Sequence, residues 1–190
     1  MRLQQTIQFR ICNPARYLSD LVYFRIANAF LQQQSLNPKF KPIKLLITSD
    51  NGSYTSEQQF SPFFAYRKQL RQKFRLALNQ VLIRDVLNLP ASFVRSYDII
   101  FVKLDFRTPA DEAERILQQL YRIKGDAKLV YFDGDDDACI QWTQVLRYVD
   151  LYIKKSLLVD FDLYKKVFIG KNNLTDYVAR KSSLSFSDNI

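Results

Sequence analysis

Short apolar runs alternate with amphipathic stretches along the chain. Five of these runs are strand-sized and predict β-strands at residues 6–11, 44–48, 98–104, 128–132 and 151–154. Between them, apolar residues recur at helical spacing and predict helices at residues 18–31, 63–85, 108–125, 141–148 and 163–168. Strands that alternate with helices are typical of a parallel sheet with right-handed crossovers.

This alternation predicts an α/β protein with a single Rossmann-like open parallel sheet and helices on both of its faces. We expect this Rossmann-like domain to cover residues 1–178. Residues 179–190 include four serines and are expected to form a linker-like tail.

The composition excludes several kinds of catalytic centre. The chain has 190 residues, no histidine and two cysteines, Cys12 and Cys139. A Ser–His–Asp or Cys–His nucleophile and a histidine-ligated metal are therefore excluded. Two cysteines so far apart form no disulfide framework and favour a reducing compartment. The polar N-terminus and the lack of an apolar run of about 20 residues indicate a cytoplasmic protein.

Positive charge is concentrated in the first half of the chain. Residues 1–85 hold 13 basic and 4 acidic side chains, whereas residues 86–190 hold 15 of each. An anionic partner beside the first half would explain this asymmetry. A basic face that contacts only solvent would explain it equally well.

The predicted helix at residues 63–85 concentrates these basic side chains. Its apolar stripe, which is expected to pack on the sheet, consists of Phe63, Leu70, Phe74, Leu78 and Val81. Its basic flank consists of Arg67, Lys68, Arg71, Lys73 and Arg75. This flank predicts contact with an anionic membrane surface, at the inner face of the cell membrane, in preference to nucleic acid.

Polar residues follow the predicted strands at their carboxyl ends. In open α/β sheets, ligands bind in the crevice at this edge. The candidates for substrate binding are Asn13, Asp50, Asn51, Lys154 and Lys155. Asp105 also follows a strand, but solvent-exposed loops are polar in any case, so the pattern is open to both interpretations.

The run LVYFDGDDD at residues 129–137 places four carboxylates within five residues. Three interpretations stay open: an Asp-x-Asp site for a metal-bound nucleotide diphosphate, hydrogen bonding to sugar hydroxyls, and capping of the following helix. Asp136 and Asp137 fit the capping role. No G-x-G-x-x-G sequence follows the first strand, which argues against a dinucleotide cofactor.

Four segments of the last third resemble the N-terminal, acceptor-side half of bacterial glycosyltransferases of the GT-B type. They read LVYFDGDDD at residues 129–137, VDLYIKK at 149–155, DLYKK at 162–166 and FIGKNNLTDY at 168–177. Such enzymes occur in cell-surface polysaccharide synthesis. Before residue 98 the resemblance consists only of the alternation of strands and helices.

The resemblance implies a domain that binds a carbohydrate or lipid-linked acceptor, with no cofactor or metal of its own. A nucleotide-sugar donor is implied for the complete enzyme, on a second domain or a second polypeptide. An inverting enzyme needs a base for the acceptor hydroxyl, and without histidine the candidates are Asp133, Asp135 and Asp50. The chain ends at Ile190, where the linker to the donor half is expected, so we expect no efficient transfer by this chain alone.

Two other functions stay open. One is a compact GT-A-type transferase in which residues 133–137 bind a metal and a nucleotide diphosphate. The other is a non-enzymatic module whose basic first half binds a membrane or another polyanion.

Overall fold

The computed structural model of the protein describes residues 41–50, 54–135, 138–169 and 173–183. It contains a five-stranded sheet formed by β1 (Ile43–Ser49), β2 (Leu76–Leu82), β3 (Ile99–Lys103), β4 (Lys128–Asp133) and β5 (Leu151–Lys154). The strands lie in the order β2-β1-β3-β4-β5. Each neighbouring pair is parallel. The predicted α/β class with one open parallel sheet is confirmed.

Helices connect the strands. They are α1 (Tyr54–Ala65), α2 (Arg67–Phe74), α3 (Ile83–Asn88), α4 (Ala91–Val94), α5 (Ala110–Ile123) and α6 (Asn173–Ser182). Two 3₁₀ turns, Thr143–Tyr148 and Phe161–Lys165, flank β5. In the described part of the chain, no helix is long and apolar enough to cross a membrane.

Both faces of the sheet are covered. On one face, the stripe of α5 that contains Ile116, Leu117 and Leu120 packs in the larger core cluster. On the other face, α1 contributes Phe60, which is fully buried and stacks edge-to-face on Phe132 of β4 with ring centroids 5.2 Å apart. Apolar side chains therefore cover both faces of the sheet.

The predicted helix at residues 63–85 is wrong at residues 75–82. The chain turns at Arg75, whose φ of 58° is left-handed, and continues as β2, paired with β1. Leu78 packs in the smaller core cluster, with Phe60, and Val81 packs against the larger one on the opposite face. Residues three apart share one side of a helix but opposite sides of a strand. Pairing with β1 therefore overrides the local helical periodicity.

The other predicted elements have mixed outcomes. The predicted strands at residues 44–48, 98–104, 128–132 and 151–154 are confirmed, within two residues at each end. The predicted strand at residues 6–11 and the predicted helix at residues 18–31 lie outside the described residues. Helix α6 continues to Ser182, and Ala179 is 1% exposed, so the helix extends four residues into the segment predicted as a tail.

Candidate functional site

The parallel arrangement brings the carboxyl ends of the strands to one edge of the sheet. β1, β3, β4 and β5 lie side by side there, ending at Ser49, Lys103, Asp133 and Lys154. β2 lies on one side of β1, and β3, β4 and β5 lie on the other, so the strand order reverses between β1 and β3. In open α/β sheets, ligands bind in the crevice at such a switch point. We call this edge the carboxyl-edge site.

Asp133 lies at the centre of the carboxyl-edge site and is 1% exposed. The hydroxyl of Tyr152 donates a hydrogen bond to Oδ2, and the backbone N–H of Asp135 donates to Oδ1 at 3.1 Å. Lys154, the register partner of Asp133 in β5, places Nζ 3.0 Å from Oδ1. Nζ is buried and makes an ion pair rather than a well-aligned hydrogen bond. Both carboxylate oxygens are therefore engaged within the protein.

Tyr152 is held in place as a hydrogen-bond donor to Asp133. Its ring stacks on that of Tyr131, with centroids 5.2 Å apart and planes 22° apart. Burial raises the pKa of Tyr152 far above its usual value, and the charge of Asp133 raises it further. The phenol therefore keeps its proton at neutral pH and remains a hydrogen-bond donor to Asp133.

Asp135 is the more accessible carboxylate of the pair. Its side chain is 16% exposed, and the fully buried Lys103 places Nζ 3.4 Å from its Oδ1. Its Oδ2 is itself buried and has no hydrogen-bond partner among the described residues. Burial raises the pKa of Asp135, the charge of Lys103 lowers it, and the charge of Asp133 raises it, with a net rise. Asp135 thus combines an unused acceptor with a raised basicity.

Asp50 and Asp105 join the loops that follow β1 and β3. The carboxylate of Asp50 accepts a hydrogen bond from the backbone N–H of Asp105. The carboxylate of Asp105 in turn accepts two hydrogen bonds from the guanidinium of Arg107, at 2.9 and 2.8 Å. A bidentate pair of this kind fixes orientation and balances charge. This network connects the loops that follow β1 and β3.

Gly134 lets helix α1 approach the loop between the two carboxylates. A Cβ atom at this position would lie 1.8 Å from the side-chain amide of Gln59. Any larger residue at this position therefore has to displace Gln59. The loop between the two carboxylates therefore lies directly against the Gln59 side chain of α1.

The predicted site residues fall into four groups. Asp50, Asp133, Asp135 and Lys154 lie together at the carboxyl edge. Lys155 follows them with an exposed side chain, and its backbone N–H donates to the carbonyl of Asp133 at 2.9 Å. Asn13, Asn51, Asp136 and Asp137 lie outside the described residues. The basic flank, Arg67, Lys68, Arg71, Lys73 and Arg75, lies in and just after α2, which leads to the opposite, amino edge of the sheet.

Sequence reasoning missed Lys103, Tyr152 and Gln59. A lysine at the end of the apolar run IIFVK is a signal for Lys103, because a charge placed in a buried strand requires a partner. Tyr152 lies inside the segment VDLYIKK, but its pairing with Asp133 depends on strand register. Gln59 carries no signal in the sequence.

Two clefts lie away from the carboxyl-edge site. One, of about 310 Å³, lies at the amino edge beside Arg95, Asp98, Gly125 and Asp126, all of which are exposed. The other, of about 580 Å³, lies between the second 3₁₀ turn and α6, beside Lys166, Asp176 and Arg180. Neither is lined by a buried ionisable pair of the kind at the carboxyl edge, where perturbed groups favour binding or chemistry.

Among the described residues, no group of three or more His, Cys, Asp or Glu side chains is arranged to hold a metal ion. The two described carboxylates of the Asp-x-Asp sequence, Asp133 and Asp135, instead face the ammonium groups of Lys154 and Lys103.

The comparisons with known proteins are confined to distant likenesses in structure. No family model matches the chain, and no curated protein matches it. A response regulator from Burkholderia pseudomallei, solved with a phosphorylated aspartic acid, calcium and citrate, is 16% identical, with a TM-score of 0.40 over 75% of this chain and 74% of that one. Homoserine dehydrogenase from S. aureus is 10% identical, with a TM-score of 0.40 over 60% of this chain. This chain matches about a third of the length of the dehydrogenase, 32%.

Proposed function

We propose that this chain is the acceptor-binding domain of a nucleotide-sugar-dependent glycosyltransferase of cell-surface polysaccharide synthesis, and that its carboxyl-edge site binds the hydroxyl groups of the acceptor. The sequence resemblance and the open parallel sheet support this proposal. A donor-binding domain or a second polypeptide would supply the nucleotide-sugar. The enzyme would then act at the inner face of the cell membrane.

The observation that carries the proposal is the unused acceptor of Asp135. A carboxylate oxygen without a hydrogen bond in a partly buried site costs about 1–3 kcal/mol. An incoming hydroxyl group that displaced the atoms covering Oδ2 and donated to this oxygen would recover much of this cost. A sugar offers several such donors at fixed spacing.

The charges of the carboxyl-edge site favour a neutral ligand. Among the described residues of this site, Lys154 pairs with Asp133, Lys103 with Asp135, and Arg107 with Asp105. A diphosphate would meet carboxylates that are already paired, and a bridging metal would have to displace buried ammonium groups. Both features favour the acceptor-domain proposal over the compact GT-A-type alternative.

Within this proposal Asp133 and Asp135 have different roles. Asp133 has both oxygens engaged, so it fixes the loop and orients its neighbour. Asp135 would accept the proton that the acceptor hydroxyl loses as its oxygen bonds to the donor sugar's anomeric carbon and the nucleotide departs. A carboxylate of raised pKa is the better base for this transfer at neutral pH.

Carbohydrate binding by this chain tests the proposal. Saturation-transfer NMR with a panel of neutral hexoses and disaccharides should show contact with the wild-type chain and a loss of at least about tenfold in affinity for Asp135→Asn. Asp126→Asn, a matched change on an exposed loop at the amino edge, should bind like wild type. No contact with any sugar, or equal binding by both variants, would refute the proposal.

A second function, membrane attachment, is favoured by the surface of α2. None of the helix's residues is buried, and Arg67, Lys68 and Lys73 are exposed. Tyr66 and Phe74, at its two ends, are 59% and 60% exposed. Aromatic rings that flank a basic helix suit the interface of an anionic bilayer, where each basic residue contributes about 1 kcal/mol.

Vesicle sedimentation tests this attachment. The chain should bind vesicles that contain phosphatidylglycerol, but not vesicles of phosphatidylcholine alone, and added salt should weaken binding. Lys68→Glu/Lys73→Glu should abolish binding, whereas Arg115→Glu/Arg122→Glu on α5 should not. Binding that is insensitive to salt, or tighter binding to single-stranded RNA than to vesicles, would contradict membrane attachment.

A further inference from the structure

Lys103 is a charged side chain enclosed at the end of the central strand β3. It is 0% exposed, and its Nζ lies 3.4 Å from Oδ1 of Asp135. A buried ammonium group is costly unless an anion lies beside it. Because the loop after β4 supplies that anion, burial of Lys103 and the position of Asp135 depend on each other.

Three charged side chains of the described residues surround Asp135 and act on its carboxylate. Lys103 faces it from β3, Asp133 precedes it at the end of β4, and Lys154 approaches from β5, paired with Asp133. Gln59 of α1 packs on the intervening Gly134 and is uncharged. Lys103 is thus the cation in direct contact with Asp135, whereas Lys154 forms its ion pair with Asp133.

We propose that Lys103 is the positioning residue of the carboxyl-edge site: its buried ammonium group holds Asp135 ionised through Oδ1 and leaves Oδ2 to accept a ligand hydroxyl. The pairing itself is a property of the protein alone. Its consequence for ligand binding rests on the proposed function.

This arrangement makes binding depend on pH in a defined direction. Hydroxyl donors bind the ionised form of Asp135, so affinity rises as pH rises through the pKa of this group. Without Lys103, only the smaller effect of Lys154 opposes burial and the charge of Asp133, so the midpoint of Asp135 moves to higher pH. Below both midpoints, affinity then falls about tenfold for each pH unit by which the midpoint rises.

Carboxyl NMR of the full chain tests the inference without any ligand. The side-chain carboxyl signal of Asp135, assigned by its absence from Asp135→Asn, should titrate at higher pH in Lys103→Met than in wild type. Lys154→Met should move it less, and Arg107→Met, which removes the exposed partner of Asp105, should leave it in place. An unchanged midpoint in Lys103→Met, or a larger effect of Lys154→Met, would overturn the inference.

A variant that fails to fold is informative too. If Lys103→Met is unfolded because Asp135 loses its partner, Lys103→Met/Asp135→Asn should fold, since it removes both charges. A double variant as unstable as the single one would show that Lys103 acts through packing and would overturn the pairing. A shifted midpoint without any sugar binding would leave Lys103 as the partner of Asp135 and would refute the proposed function.

Discussion

Asp150, just before β5, stabilises the amino edge of the sheet through an ion pair and a hydrogen bond from the backbone. Its Oδ2 accepts a hydrogen bond from the backbone N–H of Leu129 at 2.8 Å and lies 3.1 Å from Nζ of the buried Lys124. Burial raises the pKa of Asp150, but these two contacts and the charge of Lys128 lower it, with a net decrease. The ionised form is therefore favoured by folding.

We expect Asp150→Asn to lower the free energy of unfolding by about 1–3 kcal/mol at neutral pH. A carboxyl group with a lowered folded pKa contributes stability above its unfolded pKa and loses it as pH falls through the folded pKa. Urea unfolding should therefore show that the difference from wild type shrinks at acid pH. Asp162→Asn, at the exposed pair with Lys165, should change stability by less than about 0.5 kcal/mol. A difference that grows in acid would contradict this.

Gly134 is expected to contribute to stability because a side chain at this position would clash with Gln59. We expect Gly134→Ala to lower the free energy of unfolding by about 1 kcal/mol, because the new methyl group must displace the amide of Gln59. Chemical denaturation of a double-mutant cycle checks the cause. Gln59→Ala should restore most of the loss, and purely additive effects of the two substitutions would exclude this contact as the reason.

At the scale of elements, the boundary between α2 and β2 is determined by long-range strand pairing and not by the local sequence pattern. The residues at 70, 74 and 78 repeat at helical spacing, and only the pairing of β2 with β1 shows that the helix ends first. The predicted strands at residues 98–104 and 128–132 needed no such information, because each is an apolar run too short for a helix. The central strands β3 and β4 were thus readable from the sequence, as was β5, whereas the edge strand β2 was not.

Arg75 allows this boundary to be tested by substitution. Its φ of 58° is unfavourable for a residue with a side chain, so Arg75→Gly should raise the free energy of unfolding by about 0.5–1 kcal/mol. Arg71→Gly, within α2, should instead lower it by about 1 kcal/mol. Urea unfolding distinguishes the two. If Arg75→Gly destabilised the chain as much as Arg71→Gly, Arg75 would be inside a continuous helix.

For the molecule as a whole, the order and direction of the strands determine which polar side chains lie close together. The polar residues that follow β1, β4 and β5 were predictable as one cluster, because parallel strands end at the same edge. The partners inside that cluster were not. Whether Lys154 meets Asp133, and whether Lys103 meets Asp135, depends on register and loop shape, which the sequence pattern does not specify.

The position of the basic flank in the molecule could not be predicted from the sequence either. The sequence shows which residues are basic, but their placement toward the amino edge follows from the end of α2 at Phe74. A chain attached through α2 would hold its carboxyl-edge site on the far side of the sheet, about 20 Å away along strands of seven residues. The acceptor would then be recognised beyond the lipid surface.

The location of the ligand tests the central claim most directly. In ¹⁵N-labelled wild-type chain, titration with a sugar that binds should shift the amide signals of Asp50, Asp105, Gly134 and Lys155 most strongly. The amides of Asp98 and Gly125, at the amino edge, should stay in place. Shifts confined to the amino edge, or no saturable shifts with any sugar of the panel, would contradict a hydroxyl-binding site at the carboxyl edge.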